Sequence, residues 1–410
     1  MLSPEQQERL TRVGPGTPMG TMLRKYWFPI LASTELPAGQ AREVRLMGED
    51  LAVFRDPEGE LGLLERHCPH RGASLGYGLA GCDGVACPYH GWVFDKQGRC
   101  VNMPAESGKS GLLRKARITA YGAEEMAGLI FAYLGPDPAP LLPRYDLYVW
   151  DNVLRDIGRA ELPCNWLQIM ENSVDPVHVE YLHGHHLAAQ LSLDNDAREK
   201  GYGRKHEKIG FDVFEYGIVK RRVLAGGSEK DEDWRVGHPL VFPVTLRVGA
   251  QNQHRFQIRV PVDDTTTMHY WYSCYKPPLG KSAPQQESIT IYEFPWKKNN
   301  GSFRVDFVDG GDIMAWVSQG PIADRCNELL VGSDRGIVLF RKLLFEQMER
   351  VASGLDPIGV IRDADQNDLI SFQQEHNKLD GNIEFLKRAM DISHARFSPI
   401  REQVLAMLAD

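Results

Sequence analysis

The sequence predicts an α+β protein: a small all-β domain followed by a larger domain in which an antiparallel sheet is covered by helices. Three observations predict it. At 410 residues the chain exceeds what one hydrophobic core usually supports. From Glu43 to about Tyr133 short strand-like runs alternate with glycine-rich connections and show few helical periods. Beyond a proline-rich interruption between Gly135 and Pro143, longer alternating runs return together with helical stretches. The resulting division is an N-terminal helical segment, 1–42, packing on the larger domain, a β domain at 43–140, and the larger domain at 141–410.

Taken in order, Ser3-Pro4-Glu5-Gln6 predicts a helix start, with Ser3 as N-cap, Pro4 at the first helical position and Gln6 closing a capping box. Strands follow at Val44–Leu46, Leu51–Phe54, Leu61–Leu64 and Gly128–Phe131. In the second part, the stretch from Glu171 to His183 reads as a helix, and Lys208–Leu224, Val241–Val248, Arg255–Val260 and Met268–Tyr275 read as antiparallel strands. Residues 225–235 read as an exposed, charged loop. Helices are expected at Gly311–Asp324 and at Asp334–Ser353, the latter on its Ile337, Phe340, Leu344, Met348 spacing.

Composition narrows the function classes. A net charge of −8 argues against nucleic acid as a partner. No apolar run reaches eighteen residues, so no membrane span is expected. The opening Met1-Leu2-Ser3-Pro4-Glu5 lacks the layout of a secretory signal, and seven scattered cysteines do not form a disulfide framework. A cytoplasmic protein is expected, where Cys/His clusters are more often metal sites.

Two such clusters stand out. Cys68-Pro69-His70 and Cys87-Pro88-Tyr89-His90 form C-x-H followed by C-x-x-H, with glycine close behind each histidine. Two thiolates and two imidazoles can hold zinc, or a [2Fe–2S] cluster with both cysteines on one iron and both histidines on the other. Each loop supplies one cysteine and one histidine, so each reaches both irons, which is the Rieske arrangement. Neutral imidazole raises the potential of such a centre above that of an all-cysteine cluster, making it an electron relay.

The second cluster lies at Glu171, Asp175, His178 and His183, carboxylates and imidazoles suited to a redox-active iron. On an ideal helix Glu171, Asp175 and His178 share a face. His183, five residues past His178, falls about 140° around the axis. The two histidines converge on one metal only if the helix unwinds, and Gly184 is the expected place. The alternative is a helix whose histidines hydrogen-bond within a core.

Together the two patterns resemble the oxygenase component of the Rieske non-haem iron oxygenases, over nearly the whole chain. With its opening Arg12-Val13-Gly14-Pro15-Gly16-Thr17-Pro18-Met19-Gly20, the chain is most similar to the phthalate-dioxygenase branch and its aryl O-demethylase relatives. The resemblance implies a helix-grip catalytic domain and a mononuclear Fe(II) held by two histidines and one carboxylate. It matches His178, His183 and, in Asp312-Ile313-Met314-Ala315-Trp316-Val317-Ser318-Gln319-Gly320, Asp312, with Asp309 and Asp306 as rivals. It also implies that Asp175 bridges His178 to the neighbouring subunit's cluster ligand His90 in a homotrimer or stacked hexamer, and that Glu171 has a role as the motif's first acid. O2 is the implied co-substrate, with electrons from NAD(P)H through a separate reductase or ferredoxin. The implied substrate is a small aromatic compound, notably an aromatic acid, to be hydroxylated, dihydroxylated or O-demethylated in aromatic catabolism. Arg204 and Arg247 are the candidate partners for its carboxylate. A Rieske electron carrier without mononuclear iron and a zinc-stabilised binding protein are the competing readings.

Overall fold

Residues 13–142 are framed by two tight hairpins. The structure is a computed structural model that describes residues 1–106, 111–193, 202–250, 252–374 and 383–409. In the unit formed by Val13–Leu142 the strands are β1 (Phe28–Ala32), β2 (Gln40–Leu46), β3 (Glu49–Arg55), β4 (Leu61–Glu65), β5 (Leu79–Gly81), β6 (Gly84–Ala86), β7 (Val93–Phe94), β8 (Cys100–Asn102), β9 (Ala120–Met126) and β10 (Leu129–Tyr133). A six-stranded antiparallel sheet runs β1-β10-β9-β4-β3-β2, and a four-stranded one runs β5-β6-β7-β8. Met47-Gly48 joins β2 to β3 and Ala127-Gly128 joins β9 to β10, all four residues at positive φ. That is the two-residue turn whose twist matches the flanking strands. Gly62 on β4 lies under the Phe54 ring, where a Cβ would come within 2.3 Å of ring carbons. The small sheet carries the turn that follows β6 directly into β7, and Leu75, Val85 and Phe94 fill the core beneath it.

The expected N-terminal segment 1–42 divides at Arg12. Met1–Arg12 belongs with the unit Pro143–Asp410, whereas residues from Val13 onward belong with the β unit, because β1 pairs with β10. The helix Pro4–Thr11 starts as expected, with Ser3 Oγ accepting from Gln6 N at 3.1 Å and Ser3 N donating to Gln6 Oε1 at 2.9 Å.

The second unit is built on an eight-stranded sheet. Its strands are β11 (Leu154–Leu162), β12 (His206–Phe214), β13 (Gly217–Leu224), β14 (His238–Val241), β15 (Thr245–Ala250), β16 (Gln253–Pro261), β17 (Thr267–Tyr275) and β18 (Thr290–Glu293). Their order is β12-β13-β14-β15-β16-β17-β11-β18, antiparallel except for the β11–β18 pair. The alternation at 208–224 is therefore a hairpin of two strands. The helix Trp166–Val174 packs on β16 and on the helix Arg335–Ala352. A third helix covers Val308–Ser318, starting earlier than the expected Gly311 and ending before Gly320, which sits at φ +90. The charged 225–235 stretch includes a helical turn, Glu232–Arg235.

β16 has two distinct faces. His254, Phe256, Ile258 and Val260 are buried on one side, while Gln253, Arg255, Gln257 and Arg259 alternate on the other. A polar face that is itself buried marks a strand whose second side borders a cavity rather than solvent.

Candidate functional site

The stretch from Glu171 to His183 is two elements, and a proline separates them. The α-helix ends at Val174, and Asp175 takes φ −86° and ψ 115°. A residue ahead of proline is pushed out of the helical region by the following ring, and Pro176 has no N–H to continue the ladder. The chain then winds as a π-helix over Val179–His186. In this wider i→i+5 winding, residues five apart come nearly onto one face, whereas an α-helix would separate them by about 140°. The expected unwinding at Gly184 is thus replaced by a change of winding that spans the whole segment. Gly184 serves close packing instead: a Cβ there would meet Gly203 Cα at 2.4 Å.

That winding brings His178 and His183 together. Their ring centroids are 5.2 Å apart at 79°. Asp312, from the helix Val308–Ser318, places Oδ1 3.2 Å from His183 Nε2 and 3.9 Å from His178 Nε2. The three donor atoms all lie within 4.8 Å of one another. His178 Nδ1 lies 2.6 Å from the backbone carbonyl of Asp175, which fixes the ring and leaves Nε2 as the nitrogen with a free lone pair. Buried Asp312 Oδ1 has no hydrogen-bond partner among the described residues. Two imidazole nitrogens facing an unsatisfied carboxylate oxygen fit a divalent metal better than a hydrogen-bonded core.

The rival acids are committed elsewhere. Asp306 pairs with Arg396 at 3.0 Å. Asp309 accepts from His394 N at 2.6 Å and lies 3.2 Å from its Nδ1. Burial pushes the Asp309 carboxyl up, but its His394 partner outweighs this and holds it well below the usual range. Arg259, fully buried, is drawn down to about 9 by burial, and the charge of Asp312 opposes that fall.

The triad opens onto a cavity of about 160 Å³. Leu246, Val248 and Ile392 give it an apolar wall, and Lys220, Gln253 and Arg255 give it a polar one.

In the β unit two turns repeat one geometry. Gly72 N donates to Cys68 O at 2.8 Å and Gly91 N to Cys87 O at 3.0 Å; Cys68 N donates to Ala73 O and Cys87 N to Trp92 O. Both glycines sit at positive φ, +74° and +70°, where other residues are strained. Cys68 and Cys87 are buried, while His70 is exposed and His90 half-buried, with ring centroids 4.5 Å apart. Burial, with the neighbouring Cys87 adding to it, pushes the Cys68 thiol up to about 11. Ionising such a pair calls for a coordinating cation, as a [2Fe–2S] cluster provides.

Residues 26–120 match the Rieske [2Fe-2S] domain family. Residues 132–290 and 298–390 match the family described as LigXa C-terminal domain like. Over 379 residues the chain is 40% identical to the 5,5'-dehydrodivanillate O-demethylase oxygenase subunit of Sphingobium sp. (strain NBRC 103272 / SYK-6), covering 92% of this chain and 87% of that protein. The chain belongs to the Rieske non-haem iron oxygenases. It is also 31% identical over 410 residues to the phthalate 4,5-dioxygenase oxygenase subunit of Pseudomonas putida, covering 91% of this chain and 92% of that one. The solved structure of Pseudomonas putida CBB5 NdmA shares the fold, with a TM-score of 0.61 and 22% identity over 82% of this chain and 94% of that one. As a member of this oxidoreductase family, the chain carries a Rieske [2Fe–2S] domain, and its second unit carries a candidate site for the family's mononuclear iron.

Three sequence expectations are corrected. Glu171 does not face the cavity. It is buried in an ion cluster, accepting from Arg325 Nη2 at 2.8 Å and Arg341 Nε at 2.7 Å, while Arg341 also pairs with Glu328. Burial pushes the Glu171 carboxyl up, but the two arginines outweigh it and hold it below its ordinary value. Arg247, 1% exposed, is on the opposite face of β15 from Leu246 and Val248; its guanidinium donates to Val248 O and lies 3.4 Å from Asp146. Arg204 is exposed and donates to Ala225 O. Phe256, Tyr270 and Trp271 fill the core. The sequence reading missed Arg255 and Gln253, although the polar-apolar alternation of β16 marked their face.

Two predictions follow from this geometry. Glu171→Gln removes one partner of a buried ion cluster and is expected to cost about 3–5 kcal/mol at neutral pH by denaturant unfolding. Because the folded carboxyl is depressed, this stabilisation is present above about pH 4.5, the ordinary value, and is lost as pH falls through the lower folded value. Wild type and variant should therefore converge in acid. Gly184→Val overpacks the Gly203 contact and is expected to cost about 1–3 kcal/mol, with a lowered Tm; an unchanged melt would contradict the close packing.

Proposed function

We propose that this chain is the terminal oxygenase of a multicomponent system, taking electrons from a separate reductase or ferredoxin and using O2 to hydroxylate or dihydroxylate an aromatic acid. The observation that carries the reading is the meeting of His178, His183 and Asp312 at the floor of one partly apolar cavity. These three residues are the proposed iron ligands, and Cys68, His70, Cys87 and His90 the proposed cluster ligands. Fe(II) held by such a triad supplies the redox centre for O2 activation. The protein's own groups do the rest. The Asp175 carbonyl orients His178, the apolar wall seats the ring of the substrate and excludes water, and Asp312 closes the site.

O-demethylation of a methoxylated aromatic acid is the second reading. Its support is the 40% identity over 379 residues to an O-demethylase subunit, which stands beside 40% over 349 residues to a 3-chlorobenzoate-3,4-dioxygenase subunit. Both outcomes use the same triad and differ in which substrate carbon faces it.

Asp175 is the proposed joint with a partner subunit. Its side chain is 20% exposed, Oδ1 accepts from Val177 N at 2.7 Å and Oδ2 lies 3.7 Å from His178 Nδ1. Such a carboxylate can take a hydrogen bond from a partner histidine, joining His178 to the partner subunit's His90 in a cytoplasmic homotrimer or stacked hexamer.

Visible and EPR spectra with metal analysis test the assignment. The purified protein is expected to show a Rieske spectrum and one further iron per chain. His183→Ala should lose the further iron while keeping the Rieske signal; a colourless, zinc-loaded protein sinks the reading. Asp175→Asn should keep both metals while turnover falls by roughly 100-fold. Full activity in that variant would remove the joint. Aromatic acids and aryl ethers screened for coupled O2 consumption, with product identification, separate the two reactions.

A further inference from the structure

The cavity contains a cation that has no direct partner among the described residues. Arg255 on β16 is 9% exposed and lines the cavity, yet among the described residues its guanidinium makes no hydrogen bond or ion pair. The cavity's carboxylates do not claim it: Asp309 is held by His394, and Asp312 faces the two histidines. Arg255 acts only through space on Asp309 and on Asp156 of β11, favouring the ionisation of both, and Asp156 already accepts from Ser398 and Tyr275. Two residues earlier on the same face, Gln253 Nε2 is buried and likewise has no partner among the described residues. The nearby cation, Lys220, donates to Ser173 O at 2.7 Å.

Burying a guanidinium is costly unless its donors are met, and leaving donors unmet adds to that cost. The same groups on a strand of a rigid sheet are, however, a prearranged receptor. A guanidinium presents a planar fork of N–H donors that matches the two oxygens of a carboxylate, and a primary amide beside it adds a donor.

Resting on the oxygenase reading of this cavity, we propose that Arg255 is the substrate-anchoring residue, pairing with the carboxylate of an aromatic acid while Gln253 donates a further hydrogen bond. The substrate's ring then lies along the wall formed by Leu246, Val248 and Ile392, and the carbon to be oxidised faces His178, His183 and Asp312. Anchoring at a fixed point of β16 makes the distance from carboxylate to reactive carbon the property that selects substrates.

Anaerobic calorimetric titration of the full-length, metal-loaded protein tests this without turnover. The ligands are 4-methoxybenzoate, phthalate and biphenyl-3,3'-dicarboxylate, each against its methyl ester. The wild type is expected to bind at least one acid at least tenfold more tightly than the ester. Arg255→Gln should lose at least tenfold in affinity for that acid and leave the ester unchanged, and Arg255→Lys should recover part of the loss. Gln253→Ala, which leaves the guanidinium in place, should show a smaller loss of the same sign and serves if Arg255→Gln does not fold. Equal binding of acid and ester, no binding of any acid, or an Arg255→Gln protein that binds the acid as the wild type does would each overturn the proposal. Iron content and EPR signal, recorded on the same samples, report separately on the oxygenase reading. A protein with both iron centres that ignores carboxylates refutes the anchor alone.

Discussion

The second unit depends on what happens to the backbone at Asp175-Pro176. An α-helix cannot pass through this dipeptide, since proline lacks a donor and forces its predecessor into an extended conformation. The chain restarts as a π-helix, and only that winding lets residues five apart present their rings to one point. The break has a second effect. It frees the Asp175 carbonyl, which no longer belongs to a helical ladder, to take the Nδ1 side of His178. One local constraint thus sets both the meeting of two imidazoles and the orientation of one of them.

Four buried or half-buried acids surround this point, and their partners decide their roles. Glu171 is neutralised by two arginines and ties the site helix to the helix Arg335–Ala352. Asp309 is taken by His394, which fastens the C-terminal region to the helix Val308–Ser318. Asp175 closes its own turn. Asp312 alone points an unpartnered oxygen at imidazole nitrogens. Carboxylates whose oxygens are taken by arginines, by His394 or by a backbone N–H hold the fold, and the one with an unpartnered oxygen beside two imidazoles is available to a metal.

Much of this was legible in the residues. The spacing of Cys68, His70, Cys87 and His90 specifies two matching turns because each glycine behind a histidine permits a positive φ, and local signals of that kind survive folding. The Ser3 capping box and the main strands were legible for the same reason. The π winding was not, since no residue pattern distinguishes it from an α-helix, although Pro176 already announced the interruption. The roles of Glu171 and Arg247 were hidden for a different reason. A buried ion pair is set by partners 154 residues away for Glu171 and 101 residues away for Arg247. For Arg247 a one-residue phase on β15 reverses which face a side chain occupies.

The two-faced strand β16 carries a consequence for descent. Its apolar face, with Phe256 and Ile258, is held by the core, whereas Gln253, Arg255 and Gln257 border the cavity. Substitutions on the second face can alter which molecule is accepted while the first face goes on stabilising the sheet. A lineage with such a strand can explore new nutrients by changing alternate residues, with little risk to folding. Relatives with the same architecture can then diverge in diet faster than in shape.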